Sequence, residues 1–359
     1  MHTEETSGGY LQFDVKGDIF GLEYTLNAGV RYVRTDQAST GYNSGTLVDI
    51  ERNYEDWLPA LNIAIFPTSN VVVRGAIADV ITRPSLANLT PGGSVDGYRY
   101  RVDYGNPQLQ PFRATSFDLA FEWYFARSAI FSVALFAKDI TGFPVSQTVV
   151  DTYASTGLPQ SLFAPGSPAV SNPEGQLWAI NTTVNGGNAT LKGMEVSLQS
   201  PFTFLPGMWS RFGGIVNVTL VKSQADYIMT PPSTTFTATG VATAPSQSFS
   251  TTLYGLSKRA VNATLYYEDG RFSTRASAGY RSGFVDTGSS NGNVFEGYNS
   301  TLTIDASMRY KLTDWIELSL EGINLTDTFR DRYVDQATNR AFENNHFGRT
   351  LLAGLRFAL

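Results

Sequence analysis

The chain has 359 residues, a net charge of −6 and no cysteine. Nucleic-acid binding normally requires a basic face or stripe, so this charge argues against nucleic acid as a partner. The lack of cysteine excludes a disulfide framework and cysteine-ligated metal sites. Aromatic residues reach 13%, glycines number 33 and charged residues are only 16%, a balance that favours an all-β chain.

Apolar and polar residues alternate along many segments, beginning with residues 22–32. In the segment that ends at Phe125, Phe117, Leu119 and Phe121 alternate with Asp118 and Glu122. Because successive side chains of a strand point to opposite faces, such segments are two-sided strands.

The same alternation predicts about 13 strands. They are expected at residues 6–16, 22–36, 48–66, 71–82, 113–125, 129–152, 176–200, 209–226, 251–268, 271–284, 297–311, 315–328 and 346–359.

The predicted links between strands alternate between short and long. Tight turns are expected at 16–21, 67–70, 126–128, 205–208, 268–270 and 312–314, and long polar links at 35–47, 83–112, 142–176, 227–250, 285–296 and 329–345. Outer-membrane barrels place short turns at the periplasmic end and long loops outside, whereas soluble folds seldom use such long loops. Aromatic residues such as Phe125, Tyr267 and Phe272 lie beside the short turns, as a girdle at a membrane interface would.

These patterns predict lipid on the face of Phe117 and Leu119 and an aqueous lumen on the face of Asp118 and Glu122. Single-chain bacterial barrels have even strand numbers. An odd number of strands therefore predicts an incomplete barrel, the C-terminal part of a larger one.

Four segments resemble TonB-dependent outer-membrane receptors, most closely the branch found in proteobacterial oligotrophs. They are GNPQLQPFRATSFDLAFEWYF from Gly105, NGGNATLKGMEVSLQSPFTFLPG from Asn185, GINLTDTFRDRY from Gly322 and the ending GRTLLAGLRFAL from Gly348. The chain departs from the family pattern at Phe112 and Arg113, and at the final Leu359, where the family normally ends in Phe.

The resemblance implies a transmembrane antiparallel β-barrel of the 22-stranded type with a plugged lumen, in the outer membrane of a Gram-negative bacterium. Residues 1–359 would be its C-terminal portion, without the plug domain and the N-terminal strands. Such a receptor imports a scarce ligand with energy from the inner-membrane TonB complex. The ligand is expected to be a carbohydrate; an iron chelate (siderophore) and a passive porin-like channel are the alternatives.

The resemblance also implies that the barrel assembly machinery reads the apolar face of the terminal strand. The residues concerned are Leu351, Leu355, Phe357 and Leu359.

The segment Pro91 to Pro111 has the composition of a ligand-binding loop. Tyr98, Tyr100 and Tyr104 accompany Arg99 and Arg101. Flat apolar faces beside fixed cations suit sugar rings or anionic chelates, but the same residues could stabilise a loop hairpin by stacking across strands. Trp178 and Tyr227, at the edges of other loops, allow the same two interpretations.

The sequence predicts no catalytic site, metal site or cofactor. There are two histidines, His2 and His346, and His346 is expected to be a polar residue where a loop meets a strand. No Gly-rich phosphate loop or calcium-binding loop is recognisable.

Overall fold

A computed structural model describes residues 2–43, 46–172, 175–230, 233–237, 240–244, 247–288 and 295–357. Its strands are β1 (His2–Ile19), β2 (Leu22–Asn43), β3 (Thr46–Thr68), β4 (Val71–Thr82), β5 (Gly93–Asp96), β6 (Arg101–Tyr104), β7 (Phe112–Ala126), β8 (Ala129–Thr141), β9 (Pro144–Thr152), β10 (Leu177–Asn185), β11 (Ala189–Pro201), β12 (Phe212–Thr230), β13 (Ser233–Thr237), β14 (Gly240–Ala244), β15 (Gln247–Thr251), β16 (Arg259–Glu268), β17 (Phe272–Arg281), β18 (Phe284–Gly288), β19 (Phe295–Tyr298), β20 (Thr301–Lys311), β21 (Ile316–Ile323), β22 (Phe329–Val334), β23 (Arg340–His346) and β24 (Thr350–Phe357).

Helical structure is confined to single turns. One α-helical turn, α1, covers Pro168–Ser171, and 3₁₀ turns cover Leu86–Leu89, Tyr153–Thr156, Gln160–Leu162 and Gly207–Arg211. In the part of the chain that the structure describes, no helix has the length and apolar character needed to span a membrane.

Thirteen of the described strands form one continuous antiparallel sheet, which we call the wall. Their spatial order is β1, β2, β3, β4, β7, β8, β11, β12, β16, β17, β20, β21 and β24, each paired with the next. The predicted all-β architecture of about 13 strands is confirmed. Among the described residues, β1 pairs only with β2 and β24 only with β21, so the wall is an open sheet with two edges.

The two faces of the wall differ as the alternation predicts. Phe117, Leu119 and Phe121 point outward and remain between 38% and 52% exposed. The inward face carries polar contacts: the Asn62 amide donates to Asn27, and the Asn27 amide donates to Asp14. A lining of this kind suits an aqueous lumen, because each polar group that does not bond a neighbour can bond water.

The short turns all lie at one end of the wall, and aromatic residues cluster at the same end. Phe20 and Gly21, with φ of 56° and 79°, form the turn between β1 and β2, a backbone twist that matches the twist of the flanking strands. On the outer surface the Phe212 ring lies 4.9 Å from the Tyr267 ring, which lies 5.9 Å from that of Phe272. These contacts continue across adjacent strands and form part of the expected girdle.

Several predicted boundaries were wrong: the expected strand 251–268 begins only at Arg259, and the expected strand 315–328 ends at Ile323. The expected long link at 35–47 is a paired hairpin, since β2 and β3 stay in register up to Asn43 opposite Thr46. The expected strands 129–152 and 176–200 are each divided in two, β8 and β9, and β10 and β11. The first break falls at Gly142, with φ of 71°, where the Asn185 amide donates to the Gly142 carbonyl across the two breaks.

Two four-stranded layers stand above the wall at the end of the long links, and β13 pairs with β14 in a separate two-stranded sheet. Strands β5, β6, β9 and β10 form the first, in which β10 pairs with β6 in parallel and with β9 in antiparallel fashion. Strands β18, β19, β22 and β23 form the second. The long links are therefore folded structures wherever the structure describes them.

Candidate functional site

The links between β4 and β7 and between β8 and β11 pack together into a layer with its own apolar core, which we call the cap. Its core holds Val95 and Val102 from the first link and Tyr153, Phe163 and Trp178 from the second, with Val48, Leu158, Leu162, Ala169 and Ile180. Val102 and Trp178 are completely buried. The cap thus joins segments that are far apart in sequence above the mouth of the wall.

Tyr98 and Arg99 lie at the tip of the cap, in the turn between β5 and β6. Tyr98 is 59% exposed, and the Arg99 guanidinium lies 3.8 Å from Asp96. The turn itself is fixed because the Asp96 carboxylate accepts hydrogen bonds from the backbone amides of Tyr98 and Arg99. This places a flat ring and a cation together where a ligand from outside can reach them.

Tyr100 and Tyr104 are half-buried and face the cap core. The Tyr100 ring packs edge-on against Trp178 at 5.4 Å, and its backbone has a φ of 51°. The Tyr104 hydroxyl donates to the Thr156 carbonyl at 3.4 Å, and burial raises the pKa of Tyr104. Both tyrosines therefore connect the two links of the cap.

Arg101 is held by a carboxylate of its own strand. Its guanidinium donates two hydrogen bonds of 2.8 Å to Asp103, which also accepts one from the Asn181 amide at 3.0 Å. The hydrogen bonds from Arg101 lower the pKa of Asp103, with a smaller contribution from Asn181. The charge of Arg101 is thus neutralised locally, and the group ties β6 to β10.

Trp178 lies inside the cap core, away from the surface. It stacks on Phe163 with ring centroids 5.3 Å apart and contacts Tyr153 at 4.9 Å. Its indole nitrogen has no hydrogen-bond partner among the described residues. In this arrangement Trp178 packs as a core residue of the cap and offers no surface to a ligand.

Tyr227 is brought together with a different set of rings, at the inner rim of the wall. It stacks on Tyr254 at 3.7 Å, and its hydroxyl accepts a hydrogen bond from the Tyr254 amide. The contacts continue from Tyr227 to Phe143 at 6.2 Å, from Phe143 to Phe112 at 6.1 Å, and from Tyr254 to Phe295 at 6.5 Å. We call these five residues the rim aromatic line; apart from Tyr227, sequence reasoning missed them as a group, because they come from five separate segments.

A second group that sequence reasoning missed lies below the cap, on the inner face of β1, β2 and β3. Arg113 binds the Asp56 carboxylate at 2.5 and 3.0 Å, and Asp56 is only 3% exposed. Arg83 lies 3.0 Å from Glu4 and donates to the hydroxyls of Tyr54 and Thr35. These contacts fix the ends of β4 and β7, from which the first link of the cap begins.

Arg52 belongs to the same inner-face group and touches the cap directly. Its guanidinium donates to the Leu109 carbonyl and to Gln37. One guanidinium nitrogen is buried without a hydrogen-bond partner among the described residues, and none of the ion pairs found there includes Arg52.

The terminal strand β24 presents its predicted apolar face outward. Leu351, Leu355 and Phe357 are 59% to 76% exposed and lie opposite Gly322, Leu318 and Ile316 of β21. Leu359 lies outside the described residues. His346 forms a 2.8 Å contact with Asp327 and stacks on Phe329. The described part of the chain contains no group of three or more His, Cys, Asp or Glu residues arranged to hold a metal ion.

The fold is shared with solved receptors of low sequence identity. The siderophore receptor PiuA from Acinetobacter baumannii is similar with a TM-score of 0.62 and 15% identity, over 99% of this chain and 43% of that one. The ferric-catecholate import receptor Fiu from Escherichia coli K12 gives 0.60 and 15% over 99% and 45%. The FrpB iron transporter from Neisseria meningitidis gives 0.57 and 14% over 99% and 44%. The chain thus spans less than half the length of these three proteins.

No curated protein matches the sequence. The family model described as "TonB dependent receptor-like, beta-barrel" matches residues 2–325, nearly the whole wall and all of the cap. This family consists of transport receptors in the outer membrane of Gram-negative bacteria, and the outward apolar face of the wall is therefore in contact with lipid. The chain belongs to the TonB-dependent receptor β-barrel family.

Proposed function

We propose that this chain is the C-terminal part of the barrel of a receptor that takes up a scarce extracellular ligand with energy from the inner-membrane TonB complex. The observation that carries the proposal is the combination of a two-sided membrane wall with a folded cap above its mouth. A passive pore needs no such cap, whereas a receptor must bind its ligand before transporting it.

The remainder of the receptor would close the barrel and supply the plug. Strands β1 and β24 both run from the side of the long links to the side of the short turns, so both edges of the wall have the same direction. Antiparallel closure therefore requires an odd number of further strands. In this proposal the barrel assembly machinery recognises the outward face of β24, including Leu351, Leu355, Phe357 and Leu359.

For the ligand we propose a carbohydrate. Several arginines at the extracellular end already hold carboxylates: Arg83 with Glu4, Arg101 with Asp103, Arg113 with Asp56 and Arg332 with Glu296. The exposed ring of Tyr98 and the half-buried rings of Phe112, Phe143, Tyr254 and Phe295 in the rim aromatic line are uncharged, whereas Tyr227 of that line is buried. With these four arginines neutralised, the uncharged ring faces suit the apolar faces of sugar rings better than they suit an anion.

An iron chelate is the second candidate. Of the proteins with the same fold, PiuA is a siderophore receptor and Fiu is a ferric-catecholate import receptor. Within this chain, the observation that favours an anion is Arg52, whose guanidinium has no carboxylate partner among the described residues, together with Arg330, which lies 4.1 Å above the Tyr298 ring.

Binding and uptake by cells that carry the full-length receptor can separate these ligands. Neutral oligosaccharides and ferric catecholates would be offered as two panels, before and after a protonophore dissipates the proton-motive force. We expect energy-dependent uptake from the oligosaccharide panel. Uptake of catecholates alone would replace the carbohydrate by the second candidate, and uptake that survives the protonophore would contradict the receptor proposal in favour of a passive channel.

Tyr98→Ala tests the tip of the cap. The substitution should weaken uptake while leaving the amount of receptor in the outer membrane unchanged, because Tyr98 is exposed and substitutions at such positions change stability by about 0.5 kcal/mol or less. Tyr42→Ala is the matched control, since Tyr42 is also exposed, at 69%, but lies on the β2–β3 hairpin. Equal uptake by the two variants would remove Tyr98 from the binding site.

A further inference from the structure

Three basic residues lie side by side on the lipid-facing surface of the wall. Lys192 of β11, Lys222 of β12 and Arg259 of β16 belong to adjacent strands, and all three are exposed. Each points outward, because it lies two residues from an outward apolar residue of its own strand: Lys192 from Met194, Lys222 from Leu220 and Arg259 from Val261. Each is thus the first outward residue above the apolar stripe, on the extracellular side.

The arrangement places like charges together. Lys192 is directly opposite Lys222 in the β11–β12 pairing, and Arg259 is opposite Leu220, diagonal to Lys222. Side chains directly opposite each other in an antiparallel sheet are near neighbours, and like charges there are destabilising. With strands about 4.8 Å apart, the three cations lie within a width of roughly 10 Å.

No carboxylate of the described chain forms an ion pair with these cations. None of the ion pairs between described residues includes Lys192, Lys222 or Arg259. Two outward carboxylates lie further from the apolar stripe: Asp139, which is opposite Thr190 and diagonal to Lys192 but forms no ion pair with it, and Asp226, which accepts a hydrogen bond from the Ser250 hydroxyl. The described chain thus offers the three cations no ion-pair partner, which leaves them open to an anion from outside the protein.

We propose that Lys192, Lys222 and Arg259 form a binding site for the phosphate groups of an anionic lipid headgroup in the outer leaflet. The height of the site decides between a lipid and a free ion. Apolar side chains continue directly below the cations, with Val196 and Leu198 on β11 and Val216 and Val218 on β12, so the acyl chains of the same lipid can lie against the wall. A soluble phosphate would gain nothing from this stripe, whereas basic clusters at a membrane surface attract anionic headgroups.

This inference goes beyond the proposed function, because the site lies outside the barrel and is independent of the imported ligand. Long cationic side chains at a membrane boundary often extend into water without binding any particular molecule. The proposed site differs from that behaviour. Extension alone requires no particular headgroup, whereas a site built from adjacent strands distinguishes a phosphorylated lipid from the same lipid without phosphate.

The test uses the full-length receptor purified in detergent and titrated with bis-phosphorylated lipid A, with bound lipid counted by native mass spectrometry. Each cation contributes about fivefold to binding of an anionic surface, so the triple variant Lys192→Gln, Lys222→Gln, Arg259→Gln should bind on the order of a hundredfold more weakly. A triple variant with inward cations, Lys16→Gln, Lys138→Gln, Arg275→Gln, is the matched control and should bind as the unchanged receptor does. Migration on a heat-modifiability gel confirms that each variant is folded, and Lys222→Gln alone, with an expected loss of about fivefold, serves if the triple variant does not fold.

Three results would overturn the proposal. The first is equal binding of lipid A and its dephosphorylated form. The second is an equal loss in the inward control. The third is displacement of lipid A by inorganic phosphate at similar concentrations, which would identify a site for a free ion.

Discussion

The wall and the cap are both built from paired strands, yet they bury their apolar residues in opposite directions. In the wall, apolar side chains such as Leu119 and Leu302 point outward and remain about half exposed, at 52% and 46%. In the cap, Val102 and Trp178 point inward and are completely buried. The wall thus depends on lipid to cover its apolar face, whereas the cap covers its own.

This difference has a consequence for stability. Each strand of the wall buries its apolar face in lipid, and this contribution to stability does not depend on which strand lies beside it. The cap core exists only when two links and the β2–β3 hairpin come together. A substitution in the cap should therefore act on a local folding unit, while one in the wall should act on the whole barrel.

The largest effect is expected from Trp178→Ala. Truncating a buried Trp costs about 3 to 5 kcal/mol. Here the substitution should lower the free energy of opening the cap by that amount. Hydrogen exchange and limited proteolysis of the full-length receptor should show the cap opening while the wall stays protected. Tyr98→Ala is the control, and a cap that stays closed in Trp178→Ala would contradict the core that we describe.

The lipid-facing side of the wall is tested by Ile304→Arg. An arginine near the bilayer midplane costs about 2 to 4 kcal/mol on the lipid face of a barrel. Thr303→Arg, one residue earlier and on the inward face, should cost far less. A denaturant titration of the full-length barrel in lipid compares the two variants, and equal costs would refute the assignment of the faces.

The junction of the wall and the cap is tested by Asp56→Asn. The change leaves the Arg113 guanidinium without its carboxylate, at a cost of about 1 to 3 kcal/mol for a partly buried partner. Arg113 is about half exposed, which favours the lower end of that range. In a double-mutant cycle with Arg113→Gln, the second substitution should add little to the first, whereas additive effects would mean that the two side chains do not interact.

The smallest effect concerns the bond between β6 and β10. Asp103→Asn removes the anion that Arg101 holds, at a cost of about 0.2 to 1 kcal/mol for a partly exposed pair. Since the pKa of Asp103 is lowered from 3.8 in the folded cap, its contribution is complete above that value and is lost as the pH falls through the lower, folded pKa. Proteolysis of the cap should therefore be faster in Asp103→Asn at neutral pH and converge with the unchanged receptor in acid. A difference that persists in acid would show that another group is responsible.

The wall could be predicted from the sequence because its alternation is local. The register between β17 and β20 places Ala278 opposite Ile304, as two strands with matching apolar faces require. The prediction failed at the upper ends of β2 and β3, where both faces meet water or the cap. The residues of the 35–47 segment are mostly polar on both sides, so the period of two is lost although the hairpin continues.

The candidate site could be predicted only in part, because it depends on contacts between distant segments. The run from Tyr98 to Tyr104 is recognisable as a loop rich in Tyr and Arg, but its sequence does not show that Tyr98 is exposed while Tyr100 packs on Trp178. The partners of Trp178 come from residues 48, 95–102 and 153–180. Likewise, the pair of Asp56 and Arg113 joins residues 57 positions apart, which no local pattern reveals.

The central claim, a wall with lipid on one face and water on the other, can be measured residue by residue. Residues 1–359 contain no cysteine, so single spin labels can be attached along β20 at positions 302 to 309 in a full-length receptor in lipid from which any cysteine outside these residues has been replaced. We predict that oxygen accessibility is high at 302, 304, 306 and 308 and that accessibility to a water-soluble nickel chelate is high at 303, 305, 307 and 309. The same accessibility at odd and even positions would contradict the two-faced wall.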